Sequence, residues 1–235
     1  MQKLSKAMSD LWSNEDIKAA LKLQKDHYQG NIKNIVIDSR QVKEGDLFIA
    51  IKGEYNNGHD YVNNAFEQGA VAAIIDEERA EYINKAVIKT SNSLQALQKL
   101  AQYRRQQTKA KIIALTGSSG KTTLKEALKL ICSKQFATYA TLVNLNNHNG
   151  VPLCLANLPL STEVAIFELA MSNAGEIKDL TKLVKPHIAL ITNIGAAHAE
   201  NFASIDDIAK AKAEIACGLC DNKNLIINKD NKYYP

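Results

Sequence analysis

The feature that most constrains the fold is a glycine-rich turn placed between an apolar run and a helix-forming run. Residues 111–116 read KIIALT, residues 117–123 read GSSGKTT, and helix-forming residues continue to about position 133. Glycines let a backbone turn tightly enough for its N–H groups to point at phosphate oxygens, and the N-terminus of the next helix adds a partial positive charge. A strand, a turn and a helix in this order predict a phosphate-binding loop.

We expect this loop to hold ATP together with Mg²⁺. The amine of Lys121 would reach the β- and γ-phosphates, and the hydroxyl of Thr122 would coordinate the metal. The general pattern has a further glycine where this chain has Leu115, which leaves open a glycine-serine turn before an ordinary helix. The predicted nucleotide-binding residues of the loop are Gly117, Ser118, Ser119, Gly120, Lys121, Thr122 and Thr123.

Short apolar runs alternate with amphipathic runs, which is typical of an α/β protein whose parallel sheets are covered by helices. The predicted strands lie at 35–37, 46–51, 71–75, 111–116, 164–167, 188–192 and 225–227. One predicted helix begins just after Ser13, and the other predicted helices cover 62–68, 93–107, 122–133, 177–183 and 205–219. A polar segment at 106–111 suggests two domains, a small α/β substrate domain at 1–108 and a phosphate-loop ATPase domain at 109–235.

Composition argues against several other classes of protein. The net charge of +4 is spread without a basic block, so we expect no nucleic-acid partner. No run reaches the roughly 18 to 20 apolar residues of a membrane helix, and the first residues do not read as a secretory signal, so we expect no membrane insertion. The four cysteines, including Cys217 and Cys220 of a C-x-x-C, are expected to be reduced thiols of a cytoplasmic, monomeric protein.

Several separated segments, in the right order, resemble the Mur ligase family, and within it the UDP-N-acetylmuramoyl-tripeptide–D-alanyl-D-alanine ligases. The phosphate loop in the form TGSSGKTT, with Lys125 and Glu126 after it, is the form found in this family. The other matching segments are DSR at 38–40, GDLF at 45–48, GHD at 58–60, NLNN at 144–147, GVP at 150–152, Glu168, Asn193, His198 and AKAEI at 211–215. Together the matches span most of residues 34–228.

The resemblance implies site residues beyond the phosphate loop. The implied substrate-binding residues are Ser39 and Arg40 for the uridine nucleotide, and Asn146 and Asn147 beside the ATP γ-phosphate; Asn193 is an implied ATP contact. The implied catalytic residues are Lys121, Glu168, His198 and Lys212, and the implied Mg²⁺ ligands are Thr122, Glu168, His198 and, if it is carbamylated, Lys212. Glu168 also ends an apolar strand, at the sheet edge where α/β folds place ligands. Without the resemblance, Glu168 can be interpreted as a solvated glutamate, His198 as a surface histidine and Lys212 as a surface lysine.

The resemblance also implies a reaction, the ATP-dependent formation of an amide bond in cytoplasmic peptidoglycan precursor synthesis. The terminal carboxylate of UDP-N-acetylmuramoyl-tripeptide would attack the γ-phosphate to form an acyl phosphate. The amine of D-alanyl-D-alanine would then displace phosphate. Charge accumulates on the transferring phosphoryl group, so Lys121 and Mg²⁺ are the parts this chemistry needs most.

Two departures from the family pattern limit the prediction. Ala170 stands where a glycine is more usual, and a complete ligase has a C-terminal domain that this chain of 235 residues does not reach. We therefore expect a fragment or a truncated reading frame, with an exposed strand edge at 225–227, that does not complete the ligation alone. The alternatives are another ligase of the superfamily, of the diaminopimelate-adding or folylpolyglutamate type, and a non-catalytic nucleotide-binding remnant.

Overall fold

The computed structural model describes residues 10–82, 84–195, 201–220 and 224–233. The chain divides into two compact units, Met1–Tyr103 and Arg104–Pro235. Both units are built from parallel strands and helices, so the predicted α/β class is confirmed. In the described part of the chain, no helix combines the length and the apolar character that crossing a membrane requires.

The first unit contains, within its described residues, a parallel sheet of four strands in the order β1-β2-β3-β4. These strands are β1 (Ile35–Val36), β2 (Leu47–Ile49), β3 (Ala72–Ile75) and β4 (Val87–Lys89). The helices are α1 (Asn14–Leu21), α2 (Val62–Glu67) and α3 (Ser93–Gln107), whose last four residues belong to the second unit, and 3₁₀ turns lie at Ser39–Gln41, Gly58–Tyr61 and Ala80–Tyr82. Strands β2 and β3 are buried along their whole length, as continuous apolar runs in a covered sheet should be.

Local polar contacts fix the ends of these elements. The side chain of Ser13 accepts a hydrogen bond from the Asp16 backbone N–H at 3.1 Å and so caps α1. The buried carboxylate of Asp46 accepts from the backbone N–H of Lys43 at 2.9 Å and from the side chain of Asn34 at 3.2 Å, just before β2 begins. Each contact satisfies a donor that the adjoining helix or strand would otherwise leave without a partner.

The second unit contains, among the residues described there, a parallel sheet of five strands in the order β6-β7-β5-β8-β9. The strands are β5 (Lys111–Thr116), β6 (Thr138–Ala140), β7 (Val164–Glu168), β8 (Ile188–Ile191) and β9 (Asn224–Ile227). The helices are α4 (Lys121–Cys132), α5 (Gly150–Ala156), α6 (Glu176–Val184) and α7 (Ile205–Ala213). Strand β5 lies at the centre, with Leu115 opposite Glu168 of β7 and Thr116 opposite Ile191 of β8. The carboxyl ends of these three strands therefore meet at one edge.

The predicted helix at 205–219 is wrong in its last turn. The α-helix ends at Ala213, and a 3₁₀ turn at Glu214–Gly218 follows. The hydroxyl of Thr181 donates to the Ile215 carbonyl at 2.9 Å, which removes that acceptor from the helix. Gly218 lies so close to α6 that a Cβ there would be 2.2 Å from the Thr181 carbonyl oxygen. The tight packing against α6 thus shapes this turn.

The predicted strand at 225–227 is confirmed as β9, at an edge of the five-stranded sheet. The exposed fraction of the residue is 40% for Leu225 and 52% for Ile226, so apolar surface is exposed on this strand, as expected. The cysteines of the C-x-x-C carry free thiols, and the Cys220 thiol donates to the Lys185 carbonyl at 3.1 Å.

Candidate active site

The phosphate loop connects β5 to α4 at the meeting edge of the strands. Gly117 has φ +150° and Gly120 has φ +77°, and the second of these residues is the N-cap of α4. Side chains rarely allow such positive φ values, which explains a glycine at each position. The first N–H groups of α4 have no intrahelical acceptor, so they are available to an anion in front of the loop.

Lys121 is the first residue of α4, and its amine donates to the Gly117 carbonyl at 2.7 Å. Burial lowers the pKa of this amine, and the nearby carboxylate of Glu168 partly offsets the effect. The lysine is thus folded back over its own loop, next to the helix N-terminus where phosphate oxygens would lie.

Glu168 is the last residue of β7, and only 4% of it is exposed. Its carboxylate accepts from the Thr122 hydroxyl at 3.0 and 3.2 Å and from the Asn146 side-chain amide at 3.0 Å. Its backbone N–H donates to the Thr141 hydroxyl at 3.1 Å. The solvated-glutamate alternative is wrong. The buried carboxylate and the phosphate-loop hydroxyl together offer the hard oxygen ligands that Mg²⁺ prefers.

The sequence indicates Lys125 only as part of a motif, yet this lysine is fully buried and lies close to the Glu168 carboxylate. Its amine donates to the Thr141 carbonyl at 2.9 Å and lies 3.2 Å from a carboxylate oxygen of Glu126 and 3.8 Å from one of Glu168. The signal available in the sequence is spacing, because Lys125 is four residues after Lys121 and hence on the same face of α4.

The turn after β8 is hydrogen-bonded to the phosphate loop. The Asn193 side chain accepts from the Ser119 backbone N–H at 2.9 Å and donates to the Ser119 hydroxyl at 2.7 Å. The Ser118 hydroxyl both donates to the carbonyl and accepts from the N–H of Gly195, each at 2.9 Å. The predicted residues Ser118, Ser119 and Asn193 are therefore brought together.

Lys212 lies on α7 with only 2% of its surface exposed, whereas the side chain of Lys210 is 80% exposed. The surface-lysine alternative is therefore wrong for Lys212. Burial lowers the pKa of its amine to about 8, and the positive charge of Lys121 contributes to the same shift. A substantial neutral fraction of this amine is therefore present at mildly alkaline pH.

An open cleft of about 680 Å³ lies in front of these groups. Of the predicted residues, it is lined by Gly120, Lys121, Thr122, Thr123, Asn146, Asn147 and Glu168. The cleft wall is completed by His148, Ala170, Met171, Ser172, Asn173 and Glu176, of which the sequence singled out only Ala170, as a departure from the family pattern. Glu176 holds that wall in shape by accepting from the Ser172 backbone N–H at 2.7 Å and from the Asn173 side chain at 3.0 Å.

The remaining predicted residues lie elsewhere. His198 lies outside the described residues. Ser39 and Arg40 belong to the first unit, where Ser39 is buried and Arg40 is exposed. The Arg40 guanidinium donates twice to the Asp38 carboxylate, at 2.9 and 2.7 Å, and these bonds lower the pKa of that carboxyl. Among the described residues there is no cluster of three histidine, cysteine or acidic side chains that could hold a metal.

A loop of this shape after the central strand of a parallel sheet, facing a buried acid at the end of the next strand, defines a phosphate-loop α/β domain. Two family models match the chain, Mur ligase middle domain at residues 115–235 and Mur ligase family, catalytic domain at residues 31–105. The chain belongs to the Mur ligase family.

Two relatives with the same name are similar to this chain. The chain is 42% identical to the UDP-N-acetylmuramoyl-tripeptide–D-alanyl-D-alanine ligase of Rickettsia prowazekii, over 95% of this chain and 49% of that one. It is 40% identical to the Bacillus subtilis ligase of the same name, over 83% of this chain and 43% of that one. The chain thus spans about half the length of these relatives.

Solved structures of the same ligase resemble the fold. A crystal structure of MurF from Acinetobacter baumannii has a TM-score of 0.85 at 37% identity, covering 94% of this chain and 49% of that chain. The MurF ligase of Thermotoga maritima, solved in complex with ADP, has a TM-score of 0.75 at 32% identity, covering 84% of this chain and 46% of that one.

Proposed function

We propose that the second unit binds ATP with Mg²⁺ in the cleft beside the phosphate loop. The observation that carries the proposal is the contact of the Thr122 hydroxyl with the buried Glu168 carboxylate, 3.0 Å apart at the start of α4. This pair would hold Mg²⁺ between the nucleotide phosphates and the end of β7. The amine of Lys121 and the N-terminus of α4 supply positive charge to the same phosphates.

We further propose that the parent activity is that of the relatives, the addition of D-alanyl-D-alanine to UDP-N-acetylmuramoyl-tripeptide. Bound Mg²⁺ would screen the phosphates and stabilise the charge that develops during phosphoryl transfer. Lys121 would leave the Gly117 carbonyl and follow the γ-phosphate as a peptide carboxylate attacks it, giving an acyl phosphate and releasing ADP. The amine of D-alanyl-D-alanine would then displace phosphate and form the amide bond. Asn146 and Asn147 line the cleft where that carboxylate must approach.

From the resemblance to the family, we propose that Lys212 and His198 hold a second Mg²⁺. A buried amine whose pKa is lowered to about 8 has a neutral fraction that can react with CO₂. The resulting carbamate would turn Lys212 into an anionic oxygen ligand for a second Mg²⁺, together with His198. Such a carbamate would also remove the cost of burying an ammonium group beside Lys121.

We propose that residues 1–108 hold the uridine nucleotide and residues 109–235 the ATP. In the first of these domains Arg40 would exchange Asp38 for the substrate diphosphate, because a guanidinium pairs well with phosphate oxygens. We propose that the partners are small anionic substrates rather than nucleic acid or a membrane. We also propose that the protein is a monomer and that it acts in the cytoplasm, where ATP is available.

Calorimetric titration of the chain with ATP, with and without Mg²⁺, tests the nucleotide site. We expect saturable, Mg²⁺-dependent binding that weakens at least about tenfold in Lys121→Met, because the substitution removes the amine nearest the phosphates. Lys129→Met is the matched control, since Lys129 is an exposed lysine on the same helix. Absence of Mg²⁺-dependent binding in the unsubstituted chain at millimolar ATP would refute the proposal.

Thermal unfolding with the uridine-nucleotide tripeptide tests the substrate class. A ligand present at 100 times its Kd stabilises a protein by about 2.7 kcal/mol, which is readily seen as a shift in Tm. We expect a shift with this ligand that Arg40→Ala reduces. Stabilisation by ATP alone would instead support a non-catalytic nucleotide-binding module.

A further inference from the structure

Thr192, the residue that follows β8, contacts the phosphate loop without lining the cleft. Its hydroxyl donates to the Ser119 carbonyl at 2.6 Å, with the Thr116 carbonyl at 3.3 Å as a second acceptor. Its backbone N–H also donates to the Thr116 carbonyl, at 2.9 Å. The hydroxyl therefore joins the end of β5 to the second serine of the loop.

The same hydroxyl fills the space that Gly117 leaves by lacking a side chain. A Cβ on Gly117 would lie 1.9 Å from the Thr192 hydroxyl oxygen. Gly117 is also the residue whose carbonyl accepts from the Lys121 amine at 2.7 Å. Thr192 thus packs against the peptide that holds the Lys121 amine, although Thr192 itself does not line the cleft.

Neighbouring contacts hold the loop from the same side. The Ser118 backbone N–H donates to the Asn193 carbonyl at 3.0 Å, and the Ser119 N–H donates to the Asn193 side chain at 2.9 Å. The loop residues before Gly120 are therefore bound to the turn after β8. The residues from Gly120 onwards line the cleft, where the first N–H groups of α4 face a ligand.

We propose that Thr192 is a positioning residue for phosphate binding. Through Ser119 and Gly117, its hydroxyl fixes the loop in the shape that directs the N-terminus of α4 and the Lys121 amine at the phosphates. This inference rests on the proposed ATP site and adds a residue that the sequence did not single out. Its effect is preorganisation, since a loop held in one shape loses less conformational entropy when phosphate binds.

Two substitutions at Thr192 separate the hydroxyl from the shape of the side chain. Thr192→Val keeps the shape and removes the donor, whereas Thr192→Ser keeps the donor. By calorimetry we expect Thr192→Val to weaken MgATP binding about three- to tenfold, the range that one hydrogen bond supplies, and Thr192→Ser to stay within about twofold. Thr138→Val is the matched control, because Thr138 lies on β6, does not line the cleft, and donates its hydroxyl to the nearby Phe136 carbonyl at 3.0 Å.

Adenosine, which has no phosphate, distinguishes positioning from general damage. We expect its affinity to be the same in the unsubstituted chain and in Thr192→Val. An equal loss for adenosine and MgATP, a failure of Thr192→Ser to restore binding, or unchanged MgATP binding in Thr192→Val would each overturn the inference. If the unsubstituted chain does not bind MgATP, the proposed function fails first. Thr192→Ala replaces the valine variant if that variant is not folded, and failure of both to fold would assign Thr192 a structural role instead.

Discussion

Replacing Gly117 by alanine should destabilise the second unit strongly, because the new Cβ adds both backbone strain and a steric clash with Thr192. The φ of +150° is a conformation that side chains rarely adopt, and such strain costs on the order of 1–3 kcal/mol. The new Cβ would also lie 1.9 Å from the Thr192 hydroxyl oxygen and 3.1 Å from the Thr192 Cβ, and overpacking of this kind costs roughly 1–3 kcal/mol. We expect a loss of about 2–6 kcal/mol in the free energy of unfolding, measured by urea denaturation monitored by circular dichroism.

Two further variants divide this loss into its parts. Gly120→Ala is the matched control, because Gly120 also has a positive φ, +77°, but a Cβ there has no atom within 4 Å, so only backbone strain of about 1–2 kcal/mol is expected. The double variant Gly117→Ala, Thr192→Ala should be less destabilised than the sum of its single changes, since shortening Thr192 removes the atom in closest contact. Equal losses at Gly117 and Gly120, or strict additivity in the double variant, would refute the steric argument.

Two other predictions concern buried lysines. Burial lowers the pKa of Lys212 from 10.5 to about 8, so between these pH values the unfolded chain binds more protons and stability rises with pH. In CO₂-free buffer, Lys212→Met should flatten that rise by roughly 3 kcal/mol in urea unfolding, and parallel pH profiles of the two proteins would contradict this. Lys125→Met removes the buried amine that donates to the Thr141 carbonyl and lies near the Glu168 carboxylate, and it should cost about 3–5 kcal/mol, whereas Glu126→Gln, at the exposed end of the same cluster, should cost less than about 1 kcal/mol. Equal costs for these two variants would show that Lys125 is not paired in the interior.

The phosphate loop could be predicted because its signal is local. Glycine spacing, a preceding apolar run and a following helix all fall within about twenty residues, and backbone sterics alone relate them to a fold. Strands β4 (Val87–Lys89) and β6 (Thr138–Ala140) were missed because neither is a continuous apolar run, unlike β2, which has the same length but consists of Leu47, Phe48 and Ile49. Helix α5 was missed because Gly150 and Pro152 suggest a loop, although proline is tolerated in the first turn of a helix.

Side-chain partnerships across the sheet could not be predicted from the sequence. Lysines are mostly exposed, so although its spacing from Lys121 places Lys125 on the same face of α4, the burial of Lys125 follows only from the nearby Glu168 carboxylate of β7. The same holds for Thr192, whose contact with Gly117 depends on β8 pairing beside β5. Arg40 illustrates the opposite case, since a nearby sequence position, Asp38, already provides its partner.

The central position of β5 has a consequence for the order of events in folding. Parallel neighbours can meet only after a crossover connection has formed, and a slip of one residue between β5 and β7 would turn Glu168 to the other face of the sheet. A competent phosphate site therefore exists only after β7 and β8 have both docked in register. A nucleotide that binds this site would therefore bind only after the sheet has formed. Its binding would slow unfolding and leave the rate of folding unchanged.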